Sequence, residues 1–431
     1  MSDADRFDLV IIGGGIGGVI CLKYAKSAGL NVVLLERKNG VGGLWRDLPA
    51  WQDIQFPKED WTLGSLPIAG EDQASILANI QAWVDHFDLS PFIRLNSPVS
   101  SAQPVEGGWE IFVGNQTYHS RYLVAATGGH NRAFIPHPER SNPTIQEYHS
   151  SALPSPAELS GKKVVVVGGG ASALDLLDLC FENNARKVVW TYRSLKWMLP
   201  TRKKKYFATP LRLLARQQMI GVPIEKLNRL VNADLRSRYQ KADIQDILPD
   251  HDFDFRRQML IPGRRDMIKN FARIERLRGE ILRIRGQTVE FSDGTSIEPD
   301  VILWGTGYTV DLSYFAVQSL SRITHLGELA RHCGSLFLAL DAPNLFFLAP
   351  AVLETITSTP WAYAHAARSI MLHIRGKAVF DTTPHEGQLN YYDLAKFLAR
   401  RDHTSFIPGL WYLKYLATSF LHPKNRPLPI P

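Results

Sequence analysis

One pattern occurs twice in this chain and leaves little choice of fold: a short aliphatic run that stops at a cluster of glycines. Leu9 to Gly18 reads Leu-Val-Ile-Ile-Gly-Gly-Gly-Ile-Gly-Gly, and Val164 to Ala173 reads Val-Val-Val-Val-Gly-Gly-Gly-Ala-Ser-Ala. Four consecutive branched or leucine side chains suit a strand covered on both faces in a parallel sheet. The glycines permit a tight turn into a helix, whose first N–H groups and positive dipole end face whatever lies over the turn. A pyrophosphate suits such a cradle. One copy is a weak signal; two copies, each followed by a second apolar strand with a polar residue at its end, ask for two dinucleotides.

The residues at those strand ends differ. In the first half Gly13, Gly15 and Gly18 form G-x-G-x-x-G, a helix is expected over Ile16–Ala28, and strand Asn31–Leu35 ends at Glu36. A carboxylate there accepts hydrogen bonds from both ribose hydroxyls and repels a 2′-phosphate, so the first site favours FAD or NAD. In the second half the glycine positions are Gly168, Gly170 and Ala173, with Ser172 between the last two. Strand Lys187–Thr191 then ends in Tyr192-Arg193. A guanidinium forks onto a 2′-phosphate, so this site is written for NADPH. Lys196 and the run from Arg202 to Lys205 lie just beyond, although such a run is more often a solvated surface. A flavin beside a nicotinamide satisfies both halves.

Composition narrows the class. At 431 residues, 45% hydrophobic and 21% charged, the chain has the make-up of a globular protein with two or three domains. Its net charge of +7 is explained mainly by scattered solvated lysines and arginines, some serving a phosphate-rich cofactor, and no nucleic-acid partner is expected. Cys21, Cys180 and Cys333 are far apart in sequence. They offer no disulfide framework, metal site or Cys-x-x-Cys relay, and no metal is expected. The start of the chain carries no basic-then-apolar leader, which points to a reducing cytoplasm. No apolar run reaches the length of a membrane helix. Phe406–Leu421 is broken by Pro408, Gly409 and Lys414, and reads as core packing or an amphipathic lid rather than a membrane-surface contact.

A further motif carries a resemblance. Gly40-Val-Gly-Gly-Leu-Trp45 follows Glu36; adjacent glycines let backbone lie against a flat or charged group, and Trp45 can shield it from water. G-x-G-x-x-G, then Glu36, then Gly42-Gly43-Leu44-Trp45-Arg46 resembles the FAD-binding half of the class B flavin-dependent monooxygenases, from about Asp8 to about Leu348. The resemblance implies flavin shielding by Gly43, Leu44 and Trp45, and adenine contact near Val99. It also implies a catalytic amide at Gln55, taking Lys58 as the family's lysine. Asp300-Val-Ile-Leu-Trp-Gly-Thr-Gly-Tyr308 matches the family's return strand. The proline-rich connection Asn131–Ser160 departs from the family's F-x-G-x-x-x-H-[ST]-x-x-[WYF] fingerprint, with Pro143, Ile145 and Leu153 at three defining positions around His149-Ser150. His149 reads as a hinge hydrogen bond.

The expected fold is α/β, with two Rossmann-like dinucleotide-binding domains and the NADPH domain inserted into the FAD domain. The FAD domain takes residues 1–155, the NADPH domain with its helical insert 156–312, and residues 313–431 complete the FAD domain and the C-terminal segment. The expected activity uses NADPH and O2 to oxygenate a small organic substrate through a flavin hydroperoxide. An FAD-dependent NADPH oxidase or reductase, and a non-catalytic redox-sensing dinucleotide-binding protein, remain alternatives. Substrate and oligomeric state are open.

Overall fold

The computed structural model describes residues 6–54, 66, 68–130, 132–200, 223–254, 258, 260–334, 338–348, 359–377 and 382. The first sheet contains β1 (Arg6–Ile12), β2 (Val32–Leu35), β3 (Ile93–Arg94), β4 (Ser101–Val105), β5 (Gly108–Val113) and β6 (Gln116–Ala125), in the spatial order β3-β2-β1-β6-β5-β4. β1 is parallel to β2 and β6, whereas β4, β5 and β6 run antiparallel. Leu9 and Ile11 pack into one apolar cluster and Val10 and Ile12 into another, so both faces are covered, as the unbroken aliphatic run requires.

Helix α1 (Ile16–Ser27) follows β1 directly. Helix α2 (Gln73–His86) begins at Asp72, whose carboxylate accepts from Ser75 N–H at 2.9 Å and satisfies one of the helix's orphan donors. Strand β3 is only two residues long. Beyond Arg94 the chain turns through Asn96, at φ +51°, and the N–H groups of Asn96 and Ser97 donate to Lys38 and Glu36 carbonyls instead of a ladder. β4 has no strand signal of its own because Pro104 sits inside it, on an edge where no donor is needed.

The stretch expected as a plain connection carries three strands: β7 (Arg132–Ala133), β8 (Glu139–Ser141) and β9 (Gln146–His149). Then come β10 (Lys163–Val167), helix α3 (Ala171–Glu182) and β11 (Lys187–Tyr192). β12 (Met198–Leu199) and β13 (Ile261–Pro262) pair with each other, and helix Ile224–Ala242 lies between them in the helical region expected there. β14 (Ile274–Arg278) leads to the antiparallel β15 (Ile281–Arg285), β16 (Thr288–Phe291) and β17 (Ser296–Ile297). β18 (Val301–Trp304) is the return strand, and β19 (Tyr308–Thr309) pairs with β7. The second sheet is parallel throughout, in the order β14-β11-β10-β18-β9.

Val164 and Val166 pack on the α3 side of this sheet, and Val165 and Val167 pack with Ile284, Val289 and Phe291 of the β15–β17 meander. Finally β20 (Leu345–Phe347) returns to the first sheet, parallel to β6. Helix Thr359–Ile374 lies against α1 so closely that a Cβ on Gly17 would meet the Tyr363 ring at 2.8 Å.

Candidate functional site

At the end of β1 the backbone is forced into a shape that glycine supplies. Gly13 has φ +108°, its N–H donates to Leu35 O at 2.8 Å, and a Cβ there would lie 2.5 Å from Ala126 O. A Cβ on Gly18 would fall 1.8 Å from Gly13 O, so the turn and the first helical turn are locked together. Gly15 is the N-cap of α1 with no side-chain cap, and no acid occupies the first turn. Those helical N–H groups are therefore left for a ligand, with the dipole favouring an anion.

Glu36 is buried at the end of β2. Its two oxygens accept from the N–H groups of Gly14 at 2.5 Å and Lys38 at 2.8 Å, which fixes the carboxylate while leaving acceptor capacity on both oxygens. The Gly42–Leu44 segment closes over this turn. Gly42 N–H donates to Gly14 O at 2.8 Å, and a Cβ on Gly43, at φ +56°, would lie 2.8 Å from the Gly15 Cα. Leu44 and Trp45 are half-buried in the short helix Gly43–Arg46, with Trp45 against the apolar core. Val99 is half-buried against the cluster beneath the first sheet, in the loop that Ser97 ties to the Glu36 carbonyl. Gln55 and Lys58 lie outside the described residues.

Two supports escaped the sequence reading. Lys38 Nζ donates to Gly43 O at 2.8 Å and pairs with Asp47; Gln73 Nε2 donates to the carbonyls of Trp45 at 2.8 Å and Leu48 at 2.6 Å. A lysine two residues after the acid was a readable signal; a glutamine in the next helix was not.

The second cradle repeats the first. Gly168 has φ +132°, donates to Thr191 O at 2.9 Å, and a Cβ on it would lie 2.3 Å from Gly305 O. Gly170 caps α3 without a side-chain bond, no acid sits in the first turn, and a Cβ built on Gly170 would meet nothing within 4 Å. That space is what a diphosphate needs. Ser172 is half-buried in the first turn and Ala173 is fully buried. The alanine is accommodated because a glycine faces it: a Cβ on Gly305 would sit 2.6 Å from the Ala173 Cα. Arg193 follows β11, is largely exposed, and pairs with Glu280 at 3.0 Å.

Between the sheets, the ring of Tyr308 lies edge-on to both His130 and His149, with centroids at 5.4 and 5.0 Å. The Ser151 N–H donates to His149 Nδ1 at 3.2 Å, so that nitrogen is an acceptor and Nε2 carries the proton to Gly307 O at 2.9 Å. Burial pushes the His149 imidazole below its ordinary range against the raising effect of the Gly307 bond; burial and the Lys196 charge lower His130. His149 therefore ties the end of β9 to the turn after β18 by a hydrogen bond.

A model of the family described as pyridine nucleotide-disulphide oxidoreductase matches residues 10–232, just over half of the chain. The chain belongs to that family. Within it the resemblance to the class B flavin-dependent monooxygenase superfamily holds. Mouse flavin-containing monooxygenase 5 is 25% identical over 338 residues, covering 70% of this chain, and the chain spans 62% of that relative's length. Two solved structures share the fold: an oxidized steroid monooxygenase bound to NADP (TM-score 0.65, 18% identity, 99% of this chain and 95% of that one) and the OTEMO complex with FAD and NADP (TM-score 0.65, 17% identity, 86% and 85%).

In this member of the pyridine nucleotide-disulphide oxidoreductase family, the three cysteines are free and buried, Cys21 in α1, Cys180 in α3 and Cys333 just after the short helix Leu326–Arg331. Burial pushes all three thiols up, Cys333 to about 12, so none is a ready thiolate. Asp178, Glu182 and Asp266 converge within 4.8 Å, but Arg265 spans Asp266 at 2.6 Å and Glu182 at 3.8 Å, which makes the group an ion-pair cluster. Among the described residues no helix is long and apolar enough to cross a membrane, and Phe406–Leu421 lies outside them.

Proposed function

We propose that this protein is an FAD-containing, NADPH- and O2-dependent monooxygenase acting on a small organic substrate. The observation that carries the reading is the pairing of two uncapped, glycine-opened helix starts with opposite recognition charges, Glu36 beside one and Arg193 beside the other. FAD fits the first: Gly13, Gly15 and Gly18 shape the diphosphate turn, Glu36 takes the ribose, the Val99 loop meets the adenine, and Gly43, Leu44 and Trp45 cover the ring. NADPH fits the second, with Gly168, Gly170, Ser172 and Ala173 at the diphosphate and Arg193 at the 2′-phosphate. Gln55 is the proposed amide beside the reacting centre.

Bound flavin would supply the redox and oxygen chemistry, which explains why the site needs no nucleophile–base constellation. The chain's own part is to hold two dinucleotides and to exclude water. Buried cysteines leave the disulfide route of the family's name without a dithiol. The return of β20 to β6 supports an NADPH domain, residues 156–312, inserted into an FAD domain formed by 1–155 and 313–431. The pairing of β9 with β18 favours moving the first junction to about residue 145.

An FAD-dependent NADPH oxidase is the second reading, favoured by Pro143, Ile145 and Leu153 in the crossover. Screening amines, thioethers, ketones and keto acids separates the two. Substrate-stimulated NADPH consumption without matching hydrogen peroxide supports oxygenation; peroxide equal to NADPH with every substrate supports the oxidase.

A further inference from the structure

We infer that Glu280 is a specificity-determining residue that holds Arg193 away from a 2′-phosphate and lowers the preference for NADPH over NADH; this rests on the proposed nicotinamide site. Arg193 Nη1 lies 3.0 Å from Glu280 Oε1, and both side chains are at least half exposed, so the pair stands where a coenzyme's adenosine ribose would arrive. Arg193 follows β11, and Glu280 lies two residues past the end of the neighbouring parallel strand β14, so the two strand ends present a cation and an acid side by side.

The acid's place is built. Gly279 N–H donates to Tyr192 O at 2.9 Å, and Thr191 Oγ1 donates to Gly279 O at 3.0 Å. Glu280 N–H donates to Ser292 Oγ at 3.0 Å while Ser292 N–H donates back to Glu280 O at 2.9 Å. A Cβ on Gly279 would meet Ser292 Oγ at 2.4 Å, so the glycine is what lets this bracket close. Four backbone-directed bonds thus fix the Glu280 main chain against the end of β11, leaving its carboxylate to face the guanidinium.

A 2′-phosphate docking on Arg193 must either displace this carboxylate or sit beside it, and both cost affinity through a lost pair or like-charge repulsion. NADH carries hydroxyls there instead. They can donate to the Glu280 carboxylate as ribose hydroxyls do to the acid of NAD sites, with the difference that this acid follows β14 and not β11. The same two residues therefore penalise the phosphorylated coenzyme and assist the plain one.

The test is equilibrium binding of NADP+ and NAD+ to the full chain by calorimetry, with Glu280→Gln, Arg193→Ala, the double variant, and Glu106→Gln on a turn of the first sheet as a net-charge control. Glu280→Gln is expected to tighten NADP+ about fivefold and to weaken NAD+. Glu106→Gln is expected to change neither, and the Glu280 effect on NADP+ should shrink when Arg193 is already alanine, because the lost ion pair then drops out and only like-charge repulsion remains. An unchanged NADP+/NAD+ ratio in Glu280→Gln, with the wild-type chain binding NADP+, overturns this inference alone. Wild-type chain that binds neither dinucleotide overturns the nicotinamide site and the inference with it.

Discussion

A Cβ on Gly43 would lie 2.8 Å from the Gly15 Cα, so the diphosphate turn and the double-glycine loop touch through backbone alone. Gly43 also has φ +56°, so alanine there meets both a contact and a conformational penalty. Gly43→Ala should open the two segments and cost about 1–3 kcal/mol of stability. Flavin content, read from the visible spectrum of the purified variant, is expected to fall with it. Full flavin content at wild-type stability would show that the contact is not needed.

Arg193→Ala should weaken NADP+ selectively. A charge-assisted contact to phosphate contributes about 2 kcal/mol, and exposure of this guanidinium lowers the expectation to about 1–2 kcal/mol. Binding of NADP+ and NAD+ measured side by side checks it. Unchanged discrimination would remove Arg193 from the site.

Gly305→Ala should destabilise the second cradle by about 1–3 kcal/mol, because the new methyl would meet the Cα and N of Ala173 at 2.6 and 2.7 Å. Since those atoms are backbone, adding Ala173→Gly is expected to give little rescue. Chemical denaturation of the single and double variants measures this; a full rescue would mean that the Ala173 methyl alone sets the spacing.

Much of this frame is legible in the sequence alone. Aliphatic runs at Leu9 and Val164 reported strands covered on both faces, and the glycines reported the turns, since a Cβ at Gly13, Gly18 or Gly168 would collide with backbone. What stayed hidden depended on long-range pairing. β9, Gln-Glu-Tyr-His, has no apolar pattern of its own and is a strand because β18 offers it an edge. β14, Ile-Glu-Arg-Leu-Arg, carries three charges in five residues and is a strand because it pairs with β11. Gly305 and Glu280 matter only because the fold sets them against Ala173 and Arg193.

The two histidines packed on Tyr308 predict a pH dependence. His149 and His130 are held below the ordinary imidazole value of about 6.5, so the unfolded chain takes up these protons first as pH falls. Their contribution is complete above about pH 6.5 and is lost progressively below it, down to the depressed folded values. His149→Gln should flatten the fall in melting temperature between about pH 7 and about pH 5 without abolishing it, because His130 still titrates. Parallel curves for wild type and variant would contradict the assignment.

The central claim is that the first cradle holds FAD and the second a nicotinamide that reduces it. Anaerobic titration of the purified chain with NADPH, followed in the visible spectrum, tests this most directly. The account predicts a yellow protein with one FAD per chain that bleaches on addition of NADPH; a colourless chain that takes up no added FAD would contradict it.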